Sequence, residues 1–229
     1  MSTERHVYTL ALLGGTGNEG LGLARRWARA GHHIIIGSRQ ADKAQRIAAE
    51  LNAELQSDDN AGNIVGMENV AAARACDVAV LTVPYNTQNT LLQSLKAELQ
   101  GKVLINVNVA LKPPKVARVY IPPAGSASEQ AQAILGPDVH VVAAFQNVSA
   151  HSLEDLARPL ACDVLICGNK KAAKSIALQL AADLGTRGID AGPLVNAKAV
   201  EALTSVLIGI NIRYKIPASG IRITGLPTA

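Results

Sequence analysis

VYTLALLGGTGNEG, residues 7–20, is the stretch on which the fold turns. Its first half is an unbroken apolar run. The run passes straight into Gly14-Gly15-Thr16-Gly17-Asn18-Glu19-Gly20, where Gly15, Gly17 and Gly20 keep the G-x-G-x-x-G spacing. An apolar run stopped by glycines is the pattern of a strand covered on both faces. Residues 18–30 then read as a helix, with Leu23 and Trp27 four apart on one face, and Gly31 closes it. Ile34, Ile35 and Ile36 form the next strand. Inside such a βαβ unit the glycines have separate uses. Gly15 allows the tight turn, Gly17 lets backbone approach a pyrophosphate with no Cβ in the way, and Gly20 lets the helix pack close to the strand. The unpaired N–H groups opening the helix face the phosphates, aided by the helix dipole. No Lys-Ser or Lys-Thr follows the glycines, which excludes a P-loop.

The end of the second strand chooses the dinucleotide. An NAD site places Asp or Glu about 20 residues beyond the glycines, on the ribose 2′-hydroxyl. Here Gly37-Ser38-Arg39 stands in that place, with Lys43 one turn into the next helix. A carboxylate would repel a 2′-phosphate, whereas a hydroxyl, a guanidinium fork and an ammonium bind it through charge-assisted hydrogen bonds. The residues therefore predict NADP(H) over NAD(H), held by Ser38, Arg39 and Lys43.

Outward from this unit, strands are predicted at 64–65, 77–83, 102–107, 139–145, 163–167 and 186–190. Helices are predicted at 41–55, 87–99, 126–135, 170–184 and 196–214. Residues 111–125 contain four prolines and are read as a loop across a face of the domain. Apolar strands alternating with helices give an α/β chain of the Rossmann type, doubly wound on a mostly parallel sheet, with a small, mainly helical C-terminal domain. The expected division is 1–150 for dinucleotide binding and 151–229 for a smaller part holding two further strands, a helix and the apolar helix 196–214. That last helix carries Val200, Leu203, Val206, Leu207, Ile208, Ile210 and Ile212 and leaves little polar surface. Burial is expected for it, either in the core of the C-terminal domain or against a second subunit.

Composition narrows the function. Of 229 residues 48% are hydrophobic, ample for a core, which rules out global disorder. No window of about 18 apolar residues is free of a charge or breaker, which argues against a membrane span. Residues 1–10 include Glu4, Arg5 and His6 and hold no signal-peptide core, so a cytoplasmic protein is expected. The 22 basic and 18 acidic residues leave +4, too small an excess to argue for nucleic acid and agreeable to small anionic ligands. Cys76, Cys162 and Cys167 form no C-x-x-C pair and the histidines complete no zinc spacing, so reduced, packed thiols and no metal are expected.

Further ligand groups belong at the carboxyl ends of the strands. Val83 and Pro84 make an apolar wall for a nicotinamide, and Thr87 opens the next helix within reach of the cofactor. Gln146 and Asn147 are either ligand contacts or a plain turn. His151 is the one histidine near this mouth. No catalytic acid–base set stands out, and there is no G-x-S-x-G elbow. Reduction of a carbonyl or imine needs a placed proton donor, whereas hydride exchange between two redox cofactors needs mainly the alignment of two rings.

Leu12-Leu13-Gly14-Gly15-Thr16-Gly17-Asn18, Ile36-Gly37-Ser38-Arg39, Ala79-Val80-Leu81-Thr82-Val83-Pro84 and Asp190-Ala191-Gly192-Pro193-Leu194 together resemble the NADPH-dependent F420 reductases (F420H2:NADP+ oxidoreductases). The resemblance runs in order through nearly the whole chain. It implies reversible hydride transfer between C4 of NADP(H) and C5 of the deazaflavin coenzyme F420, and a homodimer with a substrate pocket between the large and small parts. It also implies that Thr16, Gly17, Asn18 and Glu19 lie along the cofactor phosphates, and that Val83, Thr87 and Ala150 line the nicotinamide half. Val148 and Leu207 would lie on the deazaflavin side. Where some members have a His after the sixth strand, this chain has Gln146. Arg213, Lys215 and Arg222 form a positive cluster suited to an anionic F420 tail. Two alternatives stay open at this point: an NADPH-dependent reductase of a flavin or a small imine or carbonyl, and a non-catalytic NADP(H)-binding sensor.

Overall fold

The computed structural model describes residues 5–226. The chain begins with β1 (Thr9–Leu13), α1 (Asn18–Arg29), β2 (His33–Ser38), α2 (Ala41–Glu54) and β3 (Ile64–Glu68). It continues through α3 (Asn69–Ala75), β4 (Val78–Leu81), α4 (Tyr85–Leu95), β5 (Val103–Asn106), α5 (Ala127–Leu135) and β6 (His140–Ala143). It ends with α6 (Ala150–Glu154), β7 (Asp163–Gly168), α7 (Lys171–Asp183), β8 (Arg187–Asp190) and α8 (Ala197–Tyr214).

The eight strands form one sheet in the order β3-β2-β1-β4-β5-β6-β7-β8. Every neighbouring pair is parallel except β6 and β7, which run antiparallel. This is the doubly wound architecture expected from the alternating pattern. The two strands beyond residue 150, β7 and β8, extend the same sheet. The alternation of strand side chains builds two cores. Leu10, Leu12, Ile34 and Ile36 join Trp27 on one face, and Ala11, Leu13 and Ile35 join Leu92 and Leu95 on the other. Trp27 fixes α1 to the sheet. It meets Phe145 edge-on, with ring centroids 5.4 Å apart, and its Nε1 donates to the Leu180 carbonyl.

Several elements differ from the sequence reading. α4 starts at Tyr85 rather than 87, because Pro84, with φ −57°, serves as its N-cap. It also stops at Leu95, short of the predicted 99. α3 and α6 were not predicted; at seven and five residues they are too short to show a helical period. Residues 111–125 have no helix or strand, as expected.

The largest difference is α8. Of its side chains only Ala197, Val200, Glu201, Ser205 and Leu207 are buried, while Val206, Ile212 and Tyr214 are exposed. One face packs on α5 and β7 and the other lies open. Leu194–Tyr214 also has the length and apolar composition of a membrane-crossing helix.

Candidate functional site

The order of strands reverses between β1 and β4, and the loops that leave their carboxyl ends diverge there. Open parallel sheets bind ligands in that crevice. A cleft of about 740 Å³ occupies it. Gly17, Asn18 and Glu19 of the first turn line one side, Val83 and Pro84 the floor, and Gln146, Val148 and Ala150 the far side. Leu207 closes it from α8. Nine of the predicted residues, drawn from four parts of the chain, thus share one cavity.

The glycine turn is held by short contacts. Gly15 N donates to the carbonyls of Leu12 and Gly37, 3.0 and 3.1 Å away, which ties the turn to β2. Gly14 takes φ +73°, and a Cβ there would lie 2.1 Å from Val83 Cγ1. A Cβ on Gly20 would sit 2.7 Å from the Gly15 Cα, whereas one on Gly17 would meet nothing within 4 Å. Nothing within the described protein therefore requires Gly17 to lack a side chain. This is the fit a dinucleotide requires: open space at the mouth of the turn and free N–H groups at the start of α1. Asn69 completes the turn, its Oδ1 accepting from Gly14 N at 3.1 Å. No local pattern marked it, since it opens a helix too short to predict.

Ser38 is buried at the end of β2 and its Oγ accepts from Gln40 N at 3.2 Å. Arg39 and Lys43 are exposed beside it, outside the cleft and beyond the strand next to β1. Gly15 and Thr16 lie within the turn rather than on the cleft wall. Thr87 also lies off the wall; its Oγ1 donates to the Pro84 carbonyl at 2.8 Å and closes the first turn of α4. His151 is exposed on α6. Arg213, Lys215 and Arg222 are exposed near the C-terminal end.

The far wall depends on Phe145, whose φ of +72° turns the chain off the end of β6. Gln146 and Asn147 then separate in role. Asn147 is structural: its Nδ2 donates to the Asp163 carbonyl and its Oδ1 accepts from Leu165 N. Gln146 donates from Nε2 to the Asn106 carbonyl at 2.8 Å, and its enclosed Oε1 has no partner. Behind it lies a buried polar cluster that sequence reading missed. Gln88 Oε1 accepts from Asn108 Nδ2 at 2.9 Å, and Asn106 Nδ2 donates to Gln88 and to Ser128 Oγ. Glu201 of α8 accepts from Ala127 N, Ser128 N and Ser128 Oγ at 2.7, 3.0 and 2.7 Å. Thr204 Oγ1 donates to the Gln146 carbonyl. These bonds hold α8 against the cleft. Burial pushes the Glu201 carboxyl up to about 7, against the lowering pull of its three donors. Replacing Glu201 by Ala orphans three buried donors and should cost about 2–4 kcal/mol. It should appear as a lower urea midpoint with an unchanged slope.

Residues 9–110 match the family model described as NADP oxidoreductase coenzyme F420-dependent. The F420-dependent NADP reductase of Methanocaldococcus jannaschii is 42% identical over 221 residues, covering 95% of this chain and 98% of that protein. This chain belongs to the F420-dependent NADP reductase family. The enzyme of the same name from Methanothermobacter marburgensis is also 42% identical, over 95% of this chain and 99% of its own length. A crystal structure from Arthrobacter sp. FB24, described as a candidate F420 dependent NADP reductase, superposes with a TM-score of 0.77. It is 24% identical and covers 95% of this chain and 99% of that one, which shows a shared fold.

Proposed function

We propose that this protein catalyses reversible hydride transfer between NADP(H) and coenzyme F420. The observation that carries the reading is the single cleft. It joins a glycine turn left open at Gly17 to an apolar floor and to a wall supplied by the end of β6 and by α8. Relatives 39–42% identical over nearly their whole length are named F420-dependent NADP reductases, so the flavin, imine and sensor readings are set aside.

When bound, NADP(H) offers or receives the hydride at C4 and F420 at C5. The chain's own part is binding and alignment. Residues 1–150 hold the dinucleotide: Gly15, Thr16, Gly17, Asn18 and Glu19 along the phosphates, and Ser38, Arg39 and Lys43 on the 2′-phosphate. Val83, Pro84, Thr87 and Ala150 border the nicotinamide and keep water from it. Residues 151–229 contribute Leu207 to the acceptor side, facing Gln146 and Val148. We place the protein in the cytoplasm as a homodimer. The exposed Val206, Ile212 and Tyr214 of α8 support the second subunit, because large apolar side chains left open gain from being covered.

The test is a stopped-flow mixing of the protein with NADPH and F420. Rapid bleaching of F420 absorbance is expected, with no comparable oxidation of NADPH by FMN or a simple imine. NADPH oxidation by FMN or the imine alone would refute the reading.

A further inference from the structure

Hydride exchange between these partners also moves a proton. NADPH, F420 and H+ yield NADP+ and reduced F420. Among the described residues the cleft is lined by two titratable side chains, Glu19 and Tyr85. Tyr85 is engaged, its hydroxyl donating to Gln130 Oε1 at 2.7 Å. Glu19 is not. It stands at the second position of α1, whose N-cap is Gly17, and its Oε1 is fully enclosed without a hydrogen-bond partner.

A partly buried carboxyl with one enclosed, unpartnered oxygen is more stable neutral. Burial, the sole cause at work, pushes Glu19 from 4.5 up to about 8. The dipole of α1 favours the ionised form, but by less than about one pKa unit. Charged groups on the neighbouring elements are turned elsewhere. Arg26 of α1 donates to the carbonyls of Ser152, Leu153, Asp155 and Arg158, and His151 and Glu154 of α6 are exposed. The β4–α4 junction offers Thr82, Val83 and Pro84 beside Tyr85. Two more enclosed acceptors without donors, Gln146 Oε1 and Asn211 Oδ1, belong to residues lining the same cleft.

We propose that Glu19 is the group at which this protein holds the proton that accompanies the hydride. The proposal rests on the NADP(H)–F420 reading above. In F420 reduction the C4–H bond of NADPH breaks with its electron pair and a C–H bond forms at C5 of the deazaflavin. The electron pair displaced within the deazaflavin takes up the proton as the Glu19 O–H bond breaks. Glu19 is left a carboxylate and regains a proton from solvent. In the reverse direction the carboxylate receives the proton.

Two measurements test this. In the NADPH complex at pH 7, infrared spectroscopy of glutamate-labelled protein should show, beside the signal of Glu201, whose carboxyl is pushed up to about 7, a carboxylic-acid carbonyl band from Glu19. The band should vanish as the pH rises through about 8 and be absent from Glu19→Gln. In single turnovers the wild-type rate of F420 reduction should fall about tenfold per pH unit above that point. In single turnovers at saturating NADPH, Glu19→Gln should be slower by about a hundredfold or more and lack that pH dependence. Absence at pH 7 of an acid band that Glu19→Gln removes, or a Glu19→Gln rate and pH profile equal to the parent's, would overturn the proposal. The infrared result needs no F420, so it stands or falls apart from the functional reading.

Discussion

A Gly17→Ala variant is expected to keep its stability and to bind NADPH on the order of a hundredfold more weakly. Gly17 has φ −95° and ψ 167°, extended backbone that any residue adopts, and a Cβ there meets nothing within 4 Å. The unfolded chain loses some freedom on the change, so the folded state should be unharmed or stabilised by about 0.4–1 kcal/mol. The added methyl instead occupies the space where pyrophosphate oxygens approach the N–H groups of α1. Gly20→Ala should behave in the opposite way. Its Cβ would press on the Cα, carbonyl carbon and oxygen of Gly15 at 2.7–2.9 Å, all backbone atoms that cannot rotate away. Overpacking of this kind costs about 1–3 kcal/mol or more and should lower the melting temperature before any ligand is added. Calorimetric titration of NADPH beside thermal unfolding separates the two. A Gly17→Ala protein with parental NADPH affinity would remove the turn from the binding site.

Arg39→Ala should discriminate between dinucleotides rather than weaken both. Arg39 and Lys43 are exposed at the end of β2 and, among the described residues, neither is engaged in an ion pair. A guanidinium free in solvent contributes little to folding, so the variant should unfold at the parental temperature. Its charge-assisted bonds to a 2′-phosphate should be worth about 2 kcal/mol, or roughly thirtyfold in NADPH affinity. NADH, which has no such phosphate, should bind as before. The double variant Arg39→Ala/Lys43→Ala should bring the two affinities close together. Equal losses for NADPH and NADH would show that Arg39 acts on something other than the 2′-phosphate.

Much of this site was legible in the sequence because its determinants are local. The run from Val7 to Gly20 specifies strand, turn and helix through side-chain periodicity and the absence of a Cβ, both read within a few residues. The absence of an acid after β2, with Ser38 and Arg39 in its place, is equally local. The support of the site is not. Asn69 reaches Gly14 across 55 positions, and Glu201 reaches Ser128 across 73. Nothing at either end announces the other, since a hydrogen-bond donor in a sequence carries no address.

Sequence by itself thus determined the βαβ frame, the dinucleotide turn and the preference for a phosphorylated cofactor, since these follow from short-range sterics and charge type. Only the tertiary structure decided which polar groups are enclosed. It divided Gln146 from Asn147, left half of an apolar helix uncovered, and enclosed one carboxyl oxygen of Glu19 without a partner. Burial depends on what lies across a cavity, and that is settled by packing between distant segments.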